Sequence, residues 1–156
     1  MFKTILWATD GSDTAARALP FALGLARADD AKLLIAHVRE IAVGRAGGYP
    51  VLADETELRE RIIRQVKELN ESGLAATFIV RTATAGHAAR AIAEIAEEND
   101  ADLIVVGTHG YGRVAGLLLG SVTQGLLHKG ACPVLAIPTG ESVPADAREL
   151  ETTATT

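Results

Sequence analysis

An open parallel α/β sheet with helices on both faces, in a single domain with strand order 3-2-1-4-5, is the fold this chain predicts. Two observations lead to it. Five short apolar runs rich in β-branched residues alternate with segments of helical periodicity. Strands separated by helices pair in parallel, and the crossover helices cover both faces of the sheet. Two polar loops containing glycine, Thr9-Asp10-Gly11-Ser12 and Gly107-Thr108-His109-Gly110, follow the first and fourth apolar runs. In this strand order those two strands are neighbours whose following connections diverge, and the crevice above their C-terminal ends is the expected ligand site.

The strands are expected at Phe2 to Ala8, Lys32 to Val38, Ala75 to Val80, Asp102 to Val106 and Pro133 to Ile137. Between the first two, Ser12 to Ala28 carries Ala15, Ala18, Leu19, Ala22, Leu25 and Ala26 near helical spacing, so one helix is expected there, bent at Pro20. Arg39 to Ala53, with Gly44, Gly47, Gly48 and Pro50, reads as a long mobile loop, a candidate cover for a ligand. Asp54 to Ser72 places Leu58, Ile62, Val66 and Leu69 on one helical face and stops at Gly73. Gly86 to Asn99 turns Ala89, Ile92, Ala93 and Ala96 inward and Glu94, Glu97 and Glu98 outward. Ser121 to Lys129 is the last helix, weakened by Gly125 and closed by His128 and Lys129, which suit the negative end of the helix dipole. Residues 1–140 thus form the domain, and the polar, Thr-rich 141–156 is expected to be a disordered tail.

Composition bounds the function classes. A chain of 156 residues is one domain with its own core, and 48% hydrophobic with 22% charged residues is ordinary for a soluble globular protein. The formal net charge is −5 and no Lys/Arg cluster follows a helix, so nucleic-acid binding has little electrostatic support. No apolar stretch has the length of a membrane span, and Asp10 cuts short the N-terminal run before it resembles a signal peptide, which makes the cytoplasm the expected location. The single cysteine, Cys132, excludes an intramolecular disulfide and reads as a small apolar residue before the last strand.

The chemistry lies in the two loops. Gly107-Thr108-His109-Gly110 leads through nine residues to Gly120-Ser121, which opens the last helix. A strand, a glycine-rich loop and a helix start together suit nucleotide phosphates, because glycine admits an anion to the backbone and the first helical amides lack carbonyl partners. Ser121, at the expected N-cap, adds a hydroxyl. The competing reading is an ordinary loop with flexible glycines. Gly110-Tyr-Gly112-Arg113-Val-Ala-Gly116 has one residue too many for a dinucleotide fingerprint, with no acid about twenty residues on, which excludes a Rossmann dehydrogenase. Gly120-Ser121 lacks the lysine of a Walker A loop, which excludes a P-loop NTPase. Asp10 offers an acceptor for a ribose hydroxyl, an amine or a metal-bound water, with Ser12 or Asp13 as helix caps; the alternative is a plain Asp-Gly turn. His109 either donates to a phosphate or faces solvent, Arg113 either meets phosphate charge or is solvated, His37 orders the end of the second strand, and His87 caps the third helix or faces solvent. No metal cluster is expected among the histidines.

The chain resembles the nucleotide-binding branch of the universal stress proteins over Lys3 to Pro138. The residues that carry the likeness are Ile5-Leu-Trp-Ala-Thr-Asp10-Gly-Ser12, His37-Val38, Gly107-Thr-His-Gly110 with its nine-residue spacer to Gly120-Ser-Val-Thr123, and Cys132-Pro-Val-Leu-Ala-Ile-Pro138. The resemblance implies a Rossmann-like sheet that binds ATP. Asp10 then contacts the nucleotide, Val38 meets the adenine side through its backbone, and the glycine loop with Ser121 and its neighbours holds ribose and phosphates. The implied nucleotide-binding set is Ala8, Thr9, Asp10, Ser12, Val38, Gly107, His109, Gly110, Gly112, Arg113, Gly120, Ser121, Val122 and Thr123. A Mg²⁺ or Mn²⁺ ion held through the phosphates needs few protein ligands, so the residues neither demand nor exclude it. The resemblance further implies a homodimer paired through the edge strand Pro133 to Pro138; the alternative is an edge protected by its two prolines.

The expected role is a nucleotide-responsive stress factor with little or slow hydrolysis, since no residue beside the phosphates is an evident general base. Its rivals are a slow ATPase, a relative of the ATP pyrophosphatases, a cyclic AMP-binding module, and an interaction protein without a nucleotide.

Overall fold

The computed structural model describes residues 1–44, 47–50, 55–108, 119–130 and 132–138. Its elements are β1 (Thr4–Ala8), α1 (Asp13–Ala16), α2 (Leu19–Asp29), β2 (Lys32–Gly44), β3 (Gly47–Pro50), α3 (Glu55–Glu71), β4 (Ala76–Thr84), α4 (Ala88–Glu98), β5 (Leu103–Gly107), α5 (Ser121–Lys129) and β6 (Val134–Ile137). Five strands pair in parallel in the order β4-β2-β1-β5-β6, the predicted 3-2-1-4-5 arrangement. β1 is central, with Trp7 opposite Ile35 on one side and Val105 on the other.

Strand alternation divides the core in two. Ile5, Trp7, Leu33, Ile35, Leu103 and Val105 face α2 and α3, where Ala18, Leu19, Ala22, Ala26, Ile62 and Leu69 pack on them. Leu6, Ala8, Leu34, Ala36, Ile104 and Val106 face the opposite layer, packed by Ile92, Ala93, Ile95 and Ala96 of α4 and Leu126 of α5. Successive side chains of a strand point to opposite faces, so strands buried on both faces read as continuous apolar runs.

Three expectations are corrected. The first helical segment is two helices: Ser12 caps α1, its hydroxyl accepting from the Ala15 amide, and a second helix begins at Leu19. Pro20 lies in the first turn of α2, where a missing N–H breaks no helical bond, so it starts a helix instead of bending one. Arg39 to Ala53 is not one long loop. β2 runs on to Gly44, and its Ile41 to Gly44 stretch pairs antiparallel with Gly47 to Pro50. Ile41 faces Thr84 of β4 as well as Pro50, so β3 occupies the side of β2 that β1 has vacated. Ladder bonds come from the backbone, which is why glycine-rich composition concealed the pairing. Third, Ser121 is the first residue inside α5, not its cap; Gly120 holds the N-cap position and makes no side-chain bond there. The predicted tail, 141–156, lies outside the described residues.

Gly125, unfavourable for a helix by propensity, has a packing reason. A Cβ added there would come within 2.6 Å of the Ala89 Cβ on α4, so its absence sets how closely α4 and α5 approach. Gly125→Ala is therefore expected to lower stability by about 1–3 kcal/mol despite the better propensity of alanine. Urea unfolding checks this, and adding Ala89→Gly is expected to recover part of the loss.

Asp102, just before β5, accepts the Thr4 and Lys3 amides at 2.9 and 2.6 Å and so fixes the start of β1 beside β5. Those bonds, Thr4 first, hold its carboxyl below the usual aspartate range. A folded-state value below the unfolded one gives stability that is present above the unfolded value and lost as pH falls through the folded one. Unfolding curves taken from about pH 5 down to pH 2 are accordingly expected to show a shallower acid loss for Asp102→Asn than for the parent protein.

Candidate functional site

The loop after β1 is built from its own side chains. Asp10, half-buried, accepts the Ser12 amide at 3.0 Å and the Ser12 hydroxyl through Oδ1. Gly11 between them has φ +84°, the left-handed conformation this turn requires, and its amide donates to the Thr9 hydroxyl at 3.1 Å. The Asp-Gly turn and the Ser12 cap are thus one unit that delivers the chain into α1. Arg61 of α3 donates to the Gly11 carbonyl across the loop's outer side at 3.2 Å.

At the end of the neighbouring strand, Gly107 meets α1. A Cβ on Gly107 would lie 2.7 Å from the Thr14 carbonyl oxygen, so this glycine admits a helix backbone, a role its place in a phosphate-loop pattern did not reveal. The Gly107 carbonyl accepts from the buried Thr123 hydroxyl at 2.8 Å, and Thr108 is held between Ile137 and Gly120 by backbone bonds of 2.8 and 2.6 Å. The start of α5 is thereby tied to the end of β5 by side chain and backbone together. Thr123 has its hydroxyl spent on that tie, so what it can offer a ligand is its amide. With no side-chain cap at Gly120, the amides of Ser121, Val122 and Thr123 have no acceptor within the helix.

Of the predicted set, Ala8, Thr9, Asp10 and Ser12 follow one another at the end of β1, and Gly107 with Gly120, Ser121, Val122 and Thr123 gathers at the end of β5, the next strand. Ala8 pairs with Ala36, and Val38 stands two residues further along β2, beyond the end of β1 and packed against the α4/α5 layer with Ala8 and Val106. His109, Gly110, Gly112 and Arg113 lie outside the described residues.

A cleft of about 380 Å³ opens on the other layer, between α1, α2 and α3, with Trp7, Leu19 and Ile62 at its apolar base and Arg61, Arg64, Asp13 and Glu68 among its walls. It shares Thr9, Gly11 and Ser12 of the β1 loop with the predicted site but lies on the α2/α3 layer, whereas the start of α5 and Val38 belong to the α4/α5 layer. Its charges are balanced and Arg61 is already bonded to the loop, so it offers no net field for an anion.

Two further sequence candidates are placed. His87 is the N-cap residue of α4 but makes no side-chain cap, and it is exposed. Burial pushes the Cys132 thiol up, the direction opposite to a reactive thiolate. No helix among the described residues is long and apolar enough to cross a membrane.

A family model described as the universal stress protein family matches residues 1–138. The chain belongs to that family. Among its relatives, a universal stress protein of Thermus aquaticus is 41% identical over 140 residues, spanning 88% of this chain and 99% of its own. Among solved structures of universal stress proteins, one in complex with cAMP is 31% identical, covers 89% of this chain and 98% of its own, and superposes with a TM-score of 0.60. The structure of MJ0577 from Methanocaldococcus jannaschii, named a universal stress protein, is 26% identical with a TM-score of 0.66, covering 91% of this chain and 99% of its own.

The Gly107 contact gives a direct test of how the site is held. Gly107→Ala is expected to push α1 away from β5 and lower stability by about 1–3 kcal/mol. The chain's single tryptophan, Trp7, is buried and donates from its indole to the Ala15 carbonyl of α1 at 3.1 Å, so a red-shifted emission is the expected companion signal.

Proposed function

We propose that this protein binds ATP in the crevice between the Asp10 loop and the start of α5, and works as a nucleotide-responsive member of the universal stress protein family. The observation that carries the reading is the convergence of these two segments on neighbouring strand ends, with the amides of Ser121, Val122 and Thr123 left for an anion by the uncapped N-terminus of α5. Val38, on the same layer beyond the end of β1, is the candidate for the adenine side. Ala8, Thr9, Asp10, Ser12 and Gly107 frame the ribose end, and His109, Gly110, Gly112, Arg113 and Gly120 belong with the phosphates by their places in the glycine motif.

Asp10 and Ser12 already hold each other, so they support the ligand as a preformed turn that does not have to reorganise on binding. A divalent cation, Mg²⁺ or Mn²⁺, enters this reading only as a partner of the phosphates; among the described residues no group of three His, Cys, Asp or Glu side chains gathers to hold one. Hydrolysis is expected to be slow. A grip on ground-state phosphates without a positioned base lowers the energy of bound substrate and transition state alike.

The working form is taken to be a cytoplasmic homodimer through Pro133 to Pro138. β6 pairs with β5 on one side, and among the described residues no strand pairs with its other edge, the one proposed to meet a second copy. A second reading, cyclic AMP as the preferred ligand, is favoured by the 31% identical relative solved with cAMP.

Calorimetric titration of nucleotide-stripped protein with ATP and Mg²⁺, ADP and cyclic AMP separates these readings. The expected order is ATP tightest, with Gly110→Val, which adds bulk where the motif brings backbone to phosphate, weakening ATP by at least about tenfold while the fold is retained. A preference for cyclic AMP transfers the site to the second reading. No binding of any of the three by the parent protein overturns the nucleotide function.

A further inference from the structure

His37 is only 2% exposed, yet both of its ring nitrogens face oxygen atoms. Nδ1 lies 2.9 Å from the Thr9 carbonyl and Nε2 lies 3.0 Å from a carboxylate oxygen of Glu55, the first residue of α3. A carbonyl can only accept, so Nδ1 carries the proton and the tautomer is fixed at that end. Nε2 faces the Glu55 carboxylate, which braces the ring at the other end. Thr9 is also held from its amide side, by a 2.9 Å bond to the Ala36 carbonyl of β2. Thr9, the residue that leads into Asp10, is therefore held on both of its peptide units by two successive residues of β2, the amide by the Ala36 backbone and the carbonyl by the His37 side chain.

We infer that His37 is a positioning residue for the nucleotide loop: by holding the Thr9 carbonyl and bracing itself on Glu55, it sets the direction in which the chain leaves β1 and presents Asp10 at the crevice. The inference rests on the proposed nucleotide site. His37 does not belong to the ligand's surroundings, because its ring lies on the α3 side of the sheet while Val38, the next residue, packs on the α4/α5 side. It acts through Thr9. Side-chain bonds from Thr9 to the Gly11 amide and from Asp10 to the Ser12 amide close the turn, so a tilt at Thr9 is passed on to Asp10 through the turn itself.

Two substitutions separate a positioning role from filling space. An asparagine amide reaches the place of Nδ1, whereas a glutamine amide reaches that of Nε2. His37→Asn keeps the Thr9 bond, and His37→Gln keeps the Glu55 bond. ATP affinity by calorimetry is expected to stay within about threefold of the parent for His37→Asn and to fall about tenfold for His37→Gln. Amide hydrogen exchange at Gly11 and Ser12, measured without nucleotide, is expected to speed up in His37→Gln and not in His37→Asn. Equal behaviour of the two variants in that exchange measurement overturns the inference.

If the parent binds no adenine nucleotide, the functional reading fails by itself, and the exchange comparison still decides whether His37 positions the loop. The parent protein supplies a check that needs no variant. Nitrogen-15 spectra of the His37 ring are expected to show Nδ1 protonated, and a bare Nδ1 overturns the inference.

Discussion

β1 has a parallel strand on each side and a helical layer on each face, and the rest of the molecule is arranged around that enclosure. Four consecutive residues, Ile5 to Ala8, are buried because alternate side chains enter different cores. The start of β1 is fixed by Asp102 and its end by Thr9, so neither end can slide along β5 or β2 without losing bonds that cross the sheet. A one-residue slip would also exchange the two faces and bring Ile5 and Trp7 into the layer shaped for Leu6 and Ala8. The register of β1 is thus determined from both ends and from both faces.

The candidate site inherits its geometry from that register. β1 and β5 are adjacent, but the chain leaves β1 towards α1 on one layer and reaches α5 on the other after β5, so the two exits diverge and leave a crevice. Gly107 and Thr123 make the divergence close. The glycine lets the α1 backbone approach the end of β5, and the threonine draws the first turn of α5 onto the Gly107 carbonyl. The start of α5 and the Asp10 turn are thereby each held by bonds of their own at the ends of adjacent strands.

Glycine carries three different meanings here. At Gly11 it supplies a backbone angle, at Gly107 a close approach of strand end to helix, and at Gly125 a close approach of helix to helix. Only the first is readable from a local pattern, because an Asp-Gly turn after a strand demands it. The other two depend on Thr14 and Ala89, each far along the chain from its glycine, and propensity assigned Gly125 nothing but a penalty.

The alternation of strands and helices was legible because periods of two and 3.6 residues are local properties, and with it came the parallel sheet and the span of α5, while the cap of α1 was narrowed to Ser12 or Asp13. That the ends of β1 and β5 lie side by side also followed from the sequence, once the strand order was fixed. Composition misled where backbone pairing decided, as in the extension of β2 to Gly44, and where a proline proved to begin a helix. The partners of His37, Gly107 and Gly125 were decided by tertiary structure alone. Each depends on a group brought near by strand pairing or helix packing, and a chain read residue by residue holds the periodicity of its elements but not the distances between them.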